Sequence, residues 1–101
     1  MQKYDVKITN MAFYDIASTH DYIAYELFEP ITADKYIRGI YDTIKKLAFY
    51  GASVAVSENE VLLKQYGSRV RNVKYKKMAI IYTIEEERVI IQRIKAGALI
   101  F

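Results

Sequence analysis

Five cations crowd nine residues of the chain: Arg69, Arg71, Lys74, Lys76 and Lys77. Side chains of this type at this density hold phosphates or an acidic peptide through charge and hydrogen bonds. Two readings of the run stand at this point. One is a solvated strand face whose lysines discourage edge-to-edge pairing; the other is a binding face for an anion. Tyr75 lies between Lys74 and Lys76, the one place where an aromatic interleaves with bases as a nucleobase-stacking group would.

Other chemistries have little to work with. Cysteine is absent, which excludes disulfides, thiol catalysis and cysteine metal sites. The single histidine, His20, falls on the apolar stripe of a predicted helix and reads as a hydrogen-bonded core residue rather than a catalytic one. Asp15, Asp21, Glu26 and Glu29 lie on or beside that helix and read as solvated charge, since paired-carboxylate chemistry needs two acids facing each other across a cleft. Gly51 and Gly67 belong to no phosphate-cradling motif. No metal site and no cofactor is implied, and catalytic residues stay unassigned.

The chain has 101 residues and a net charge of +3, with 52% hydrophobic and 27% charged residues, which fits one globular domain spanning 1–101. That net charge hides an asymmetry. Residues 1–63 carry six Lys/Arg and nine Asp/Glu, whereas residues 64–101 carry nine Lys/Arg and only three acids, Glu85 to Glu87. Ten tyrosines are more than a chain of this length ordinarily holds. Tyr14 and Tyr25 lie opposite the apolar stripe of the first helix, where exposed aromatics mark a protein interface or pack under a neighbouring element. The N-terminal stretch shows no signal-peptide pattern, and the longest apolar run, from Met78 to Ile84, is far short of the roughly 20 residues a membrane span needs. A cytoplasmic protein without membrane contact is expected.

The elements that must position these groups follow from periodicity. Residues 4–9 alternate as a half-buried strand, and Asn10 follows as a candidate helix cap. Ala12, Ile16, Ile23 and Leu27 form one stripe of a helix over 11–28. Pro30 ends it and opens a second helix over 31–49, whose face is Ala33, Ile37, Ile40, Ile44, Leu47 and Ala48. So short a break makes the two helices antiparallel. Residues 50–68 read as a long connection, functional or partly structured. Strands follow at 69–76, with a bulge between Val70 and Val73, at 78–84, apolar on both faces, and at 88–95. The apolar tail 96–101, with Leu99, Ile100 and Phe101, must pack or meet a partner. The prediction is an α+β domain: an N-terminal strand, an antiparallel helical hairpin, then a three-stranded antiparallel sheet.

This order, with its residues, resembles the RelE/ParE superfamily of type II toxin–antitoxin toxins. The matching residues are Asp15-Ile16 and Asp21-Tyr22-Ile23 in the first helix, and Pro30, Ala33, Ile37, Ile40, Ile44 and Leu47 in the second. In the strands they are Arg69 to Lys76, Ala79-Ile80-Ile81-Tyr82-Thr83-Ile84 and Val89-Ile90-Ile91. The long helical hairpin is more similar to ParE than to RelE. The resemblance implies two activities, poisoning of DNA gyrase or cleavage of mRNA in the ribosomal A site. RelE-like nucleases carry an Arg on the Tyr-containing strand and an Arg and a Tyr near the C-terminus. Here the equivalent of the strand Arg looks like Ala79, and residues 96–101 include no Arg, Tyr or His. Lys74, Lys76, Arg93 and Lys95 remain as phosphate ligands.

The resemblance therefore implies a ParE-like toxin that binds and inhibits gyrase, as in plasmid stabilization. The alternatives are a ribosome-dependent mRNA endonuclease and an inactive interaction module of a toxin–antitoxin locus. It also implies a small acidic antitoxin as partner, in a homodimer or heterotetramer. Candidate contacts to antitoxin or nucleic acid are Arg69, Arg71, Lys74, Tyr75, Lys76, Lys77, Arg93 and Lys95. Candidate partner-interface residues are Tyr14, Tyr25, Leu99, Ile100 and Phe101.

Overall fold

Strand β1 (Asp5–Ile8) alternates exposed and half-buried residues, so Val6 and Ile8 face the core as the period-two pattern requires. The chain is described here by a computed structural model over residues 3–100, the Leu99 side chain excepted. Helix α1 (Asn10–Asp21) follows at once. Its cap is Thr9, not Asn10: the Thr9 hydroxyl accepts from the Ala12 N–H at 3.1 Å and donates to the Gln92 carbonyl at 3.0 Å, which leaves Asn10 inside the first turn. The helix ends in a π turn (Tyr22–Glu26), and α2 (Pro30–Tyr50) begins with its proline at the first position, where no N–H is needed.

The 50–68 connection is partly structured. A 3₁₀ turn (Gly51–Ser53) leads to an isolated bridge between Val56 and Arg71, then to α3 (Glu60–Tyr66), capped by Asn59. Strands β2 (Arg71–Tyr75), β3 (Met78–Glu85) and β4 (Arg88–Ala96) form the expected antiparallel meander, and a 3₁₀ turn (Gly97–Leu99) closes the chain. β1 adds to this meander as a parallel neighbour of β4, giving a mixed sheet in the order β1-β4-β3-β2.

Helices α1 and α2 cover one face. Ile16, Ile40, Ile44 and Leu47 pack on Ile80, Tyr82, Val89 and Ile91. Tyr82 is wholly buried and donates its hydroxyl to the Gly51 carbonyl at 2.7 Å, which ties the central strand to the end of α2. On the opposite face α3 places Leu62 over Val70 and Ile81, and Ile100 packs against the same cluster.

The bulge sits elsewhere than expected. β2 pairs with β3 without interruption, and the irregularity lies between Ile81 and Tyr82 opposite β4, where Gln92 is the extra residue. Val70 and Val73 are both apolar because both sheet faces are covered, Val70 by α3 and Val73 by the helical hairpin.

Candidate functional site: a divided basic edge

β2 is an edge strand, and it separates the cationic run into two groups. At its start, the Arg71 guanidinium donates from Nε to the Val54 carbonyl at 2.8 Å, and the Ser57 N–H bonds to the Val70 carbonyl at 2.7 Å. Arg71 thus clamps the 54–57 segment along the edge. With Arg69 it lines a depression shared with Tyr4, Ile84 and Glu86.

At the other end of the strand, beginning about 10 Å from Arg71, Lys74, Lys76 and Lys77 line an open groove of about 460 Å³ with Ala96, Gly97 and Ala98. Lys76 takes a left-handed backbone conformation (φ 51°) in the two-residue turn between β2 and β3. Its ammonium lies 5.6 Å from the centroid of the Tyr36 ring and 5.7 Å from that of Tyr75.

Tyr75 is half-buried. Its ring meets Tyr36 edge-on at 5.2 Å, and its hydroxyl packs on Gly39, where a Cβ would overlap it. Tyr75 is therefore a packing element between sheet and helix rather than a free stacking platform. Burial raises the Tyr36 phenol above its ordinary range, with Tyr75 adding to the effect.

Register gathers a further group. Lys74 pairs with Ala79, and Ala79 pairs with Lys95, so the three side chains form one row on one sheet face. Two lysines flank a buried methyl.

Arg93 is committed elsewhere. Its Nε and Nη2 donate to the two carboxylate oxygens of Asp15 at 2.7 and 3.0 Å, and the Ile94 N–H donates to the same carboxylate at 2.9 Å. This corrects the reading of Asp15 as solvated charge: it is buried, at 9% exposure. The physical reason lies in the topology. β1 pairs with β4 only as far as Ile91, and α1 lies beside the rest of β4. The Asp15 carboxylate accepts the strand N–H that has no β1 partner there. The carboxylate also raises the basicity of Arg93, mainly by hydrogen bonding. Tyr66 lies close to the pair, and burial raises its phenol against the opposing pull of Arg93. Periodicity held one signal for this residue: Asp15 falls three residues after buried Ala12 and next to buried Ile16, on the covered arc of α1.

His20 is not a core residue. Its two ring nitrogens meet Asp21 at 3.2 Å and Asp34 at 3.1 Å, bridging α1 to α2 at the surface. Both carboxylates raise its pKa, the hydrogen bond to Asp21 most.

Tyr14 and Tyr25 are exposed, at 67% and 69%. Ile100 is half-buried against Leu62, Val70 and Ile81, and its carbonyl accepts from Asn59 Nδ2 at 3.2 Å, so this part of the tail packs within the chain. The expectations for Phe101 and for the Leu99 side chain lie outside the described residues. Among the described residues no group of three or more His, Cys, Asp or Glu is placed to hold a metal, and no helix is long and apolar enough to cross a membrane. What the basic edge can do is hold anions. Lys74 and Lys95 on one face and Lys76 and Lys77 at the turn supply the charge.

No family model matches the chain, and no curated protein matches it. Solved structures do. A chain of the chromosomal ParDE toxin–antitoxin system from P. aeruginosa aligns with a TM-score of 0.78 at 21% identity, over 93% of this chain and 96% of that one. A chain of the toxin–antitoxin complex RelBE2 from Mycobacterium tuberculosis aligns with a TM-score of 0.66 at 14% identity, over 95% and 93%. The resemblance read from the residues thus holds at the level of the fold, and it is nearer to the ParDE chain than to the RelBE2 chain.

Proposed function

We propose that this chain is the toxin of a toxin–antitoxin pair and that it acts by binding DNA gyrase rather than by cutting mRNA. The observation that carries the choice is the row Lys74–Ala79–Lys95 together with the Asp15–Arg93 pair. RNA cleavage needs a group to take the 2′-hydroxyl proton, a cation at the phosphate in flight and a proton for the leaving oxygen. The centre of the row is a methyl, and the arginine one row away has its Nε and one Nη on a carboxylate. A lysine ammonium donates to phosphate but offers no lone pair to take a proton. A protein that inhibits by holding one conformation of its target needs only a rigid surface. The likeness to a chain of a ParDE system supports the same reading.

The partner follows from charge. Arg69, Arg71, Lys74 and Lys76, on the edge strand and at its two ends, suit an acidic antitoxin segment. Replacing all four with Ser slows association with that antitoxin and flattens its salt dependence; an unchanged on-rate at low salt contradicts the assignment.

Induced expression without the antitoxin tests the target. The expected outcome is a DNA-damage response and filamentation while translation initially continues. An immediate stop in translation, with codon-specific mRNA cuts lost in a Lys74→Ala, Lys95→Ala variant, would place the activity on the ribosome. No arrest with soluble protein would favour an inactive interaction module.

A further inference from the structure

The turn that joins α1 to α2 carries a second surface, distinct from the basic edge. Tyr22, Tyr25, Leu27, Phe28 and Ile31 are all exposed within ten residues, Phe28 at 85% and Ile31 at 73%. The backbone builds this display. In an uninterrupted helix Leu27 would continue the buried stripe of Ala12, Ile16 and Ile23. The π turn instead closes from the Leu27 N–H to the Tyr22 carbonyl at 3.1 Å, and the extra residue rotates Leu27 out of the core. Phe28 then adopts φ 57°, a conformation that costs any residue but glycine. An aromatic held in a strained conformation with its ring in water contributes nothing to this fold, and such strain concentrates where a surface is used.

Charge identifies the occupant. No Lys or Arg occurs anywhere in residues 8–34, while five acids do. Asp15 is matched by Arg93, and Asp21 and Asp34 share His20. Glu26 and Glu29 are exposed on the tip and have no ionic partner among the described residues. A second copy of this chain docking tip to tip about a two-fold axis would set these glutamates against their own copies. We propose that the hairpin tip is a docking surface for a protein segment with apolar anchors flanked by lysine or arginine, a charge opposite to that of the partner expected at the basic edge. Lys76, over the Tyr36 ring about 9 Å further along α2, limits the cationic stretch to one or two helical turns. The proposal goes beyond the gyrase reading and does not depend on it.

The test uses the full chain and two labelled amphipathic peptides that share Leu and Trp anchors at helical spacing, one flanked by Lys and one by Glu. In fluorescence anisotropy the Lys peptide binds better, and its binding shifts the amide resonances of residues 22–31. A Glu26→Lys, Glu29→Lys variant loses at least about tenfold in affinity for it and gains affinity for the Glu peptide. Phe28→Gly weakens binding by about tenfold or more yet raises Tm by about 4 °C, because the strain is relieved. A residue with a merely structural role would not separate the two readouts. Equal binding of both peptides, no binding at about 1 mM, shifts centred on β2, or a lowered Tm in Phe28→Gly each overturn the proposal. So does a dimer in sedimentation that Phe28→Gly abolishes, since the occupant would then be a second copy.

Discussion

Asp15 and Arg93 stand 78 positions apart in sequence and 2.7 Å apart in space. Removing the carboxylate strands a guanidinium that is only 23% exposed and a strand N–H that has no other acceptor. Asp15→Ala should therefore cost about 2–4 kcal/mol; a buried pair broken on one side costs about 3–5, and Arg93 retains some access to water. Chemical denaturation checks this, and a loss below about 0.5 kcal/mol would mean that the pair is not what holds α1 to β4. Sequence reading placed Arg93 among the phosphate ligands and Asp15 in solvent. A charge on the rim of an apolar stripe looks the same in sequence whether water or a distant arginine meets it. The surroundings of Tyr75 are hidden from sequence for a related reason. Lys74 alternates to the other sheet face, Lys76 turns back over the Tyr75 ring, and the other groups that ring meets, Tyr36 and Gly39, belong to α2.

At the scale of elements, periodicity read well. The face of α2 was visible residue by residue, and Ile40, Ile44 and Leu47 are buried as that face requires. Ile40→Ala should cost about 2–5 kcal/mol; a Tm lower by no more than a degree or two would mean that α2 faces elsewhere. Boundaries fared less well where a side chain or a backbone irregularity intervened. The cap moved to Thr9 because its hydroxyl serves two elements at once, and Leu27 left the core because one π turn shifts the phase of a helix. Neither event alters the hydrophobic pattern that a sequence displays. The contact between the two helices is also pH-dependent. His20 is more basic in the folded state, held by Asp21 and Asp34. Its stabilisation is fully present below the unfolded pKa near 6.5 and is lost as pH rises through the raised folded value. The Tm difference between wild type and His20→Gln should be largest near pH 5 and vanish in mildly alkaline solution. A difference that grows with pH would contradict the bridge.

The whole molecule is a sheet with a helical hairpin on one face, and charge is distributed over it by region. The basic edge strand and its turn come from the second part of the chain, and the acidic, apolar tip comes from the first. Sequence alone showed the two charge regions and the element order that the ParDE and RelBE2 chains share. It could not show that the single basic run is split along β2, or that Lys95 joins Lys74 across Ala79, because both depend on strand register. The proposed inhibition of gyrase by binding is read directly in a supercoiling assay with purified protein, gyrase, ATP and relaxed plasmid. The proposed function predicts loss of supercoiling, or accumulation of linear, protein-linked DNA, at a stoichiometric amount of this protein, with reversal by its proposed acidic partner. Supercoiling unchanged at a large excess of the folded protein, alongside mRNA cleavage on translating ribosomes, would contradict it.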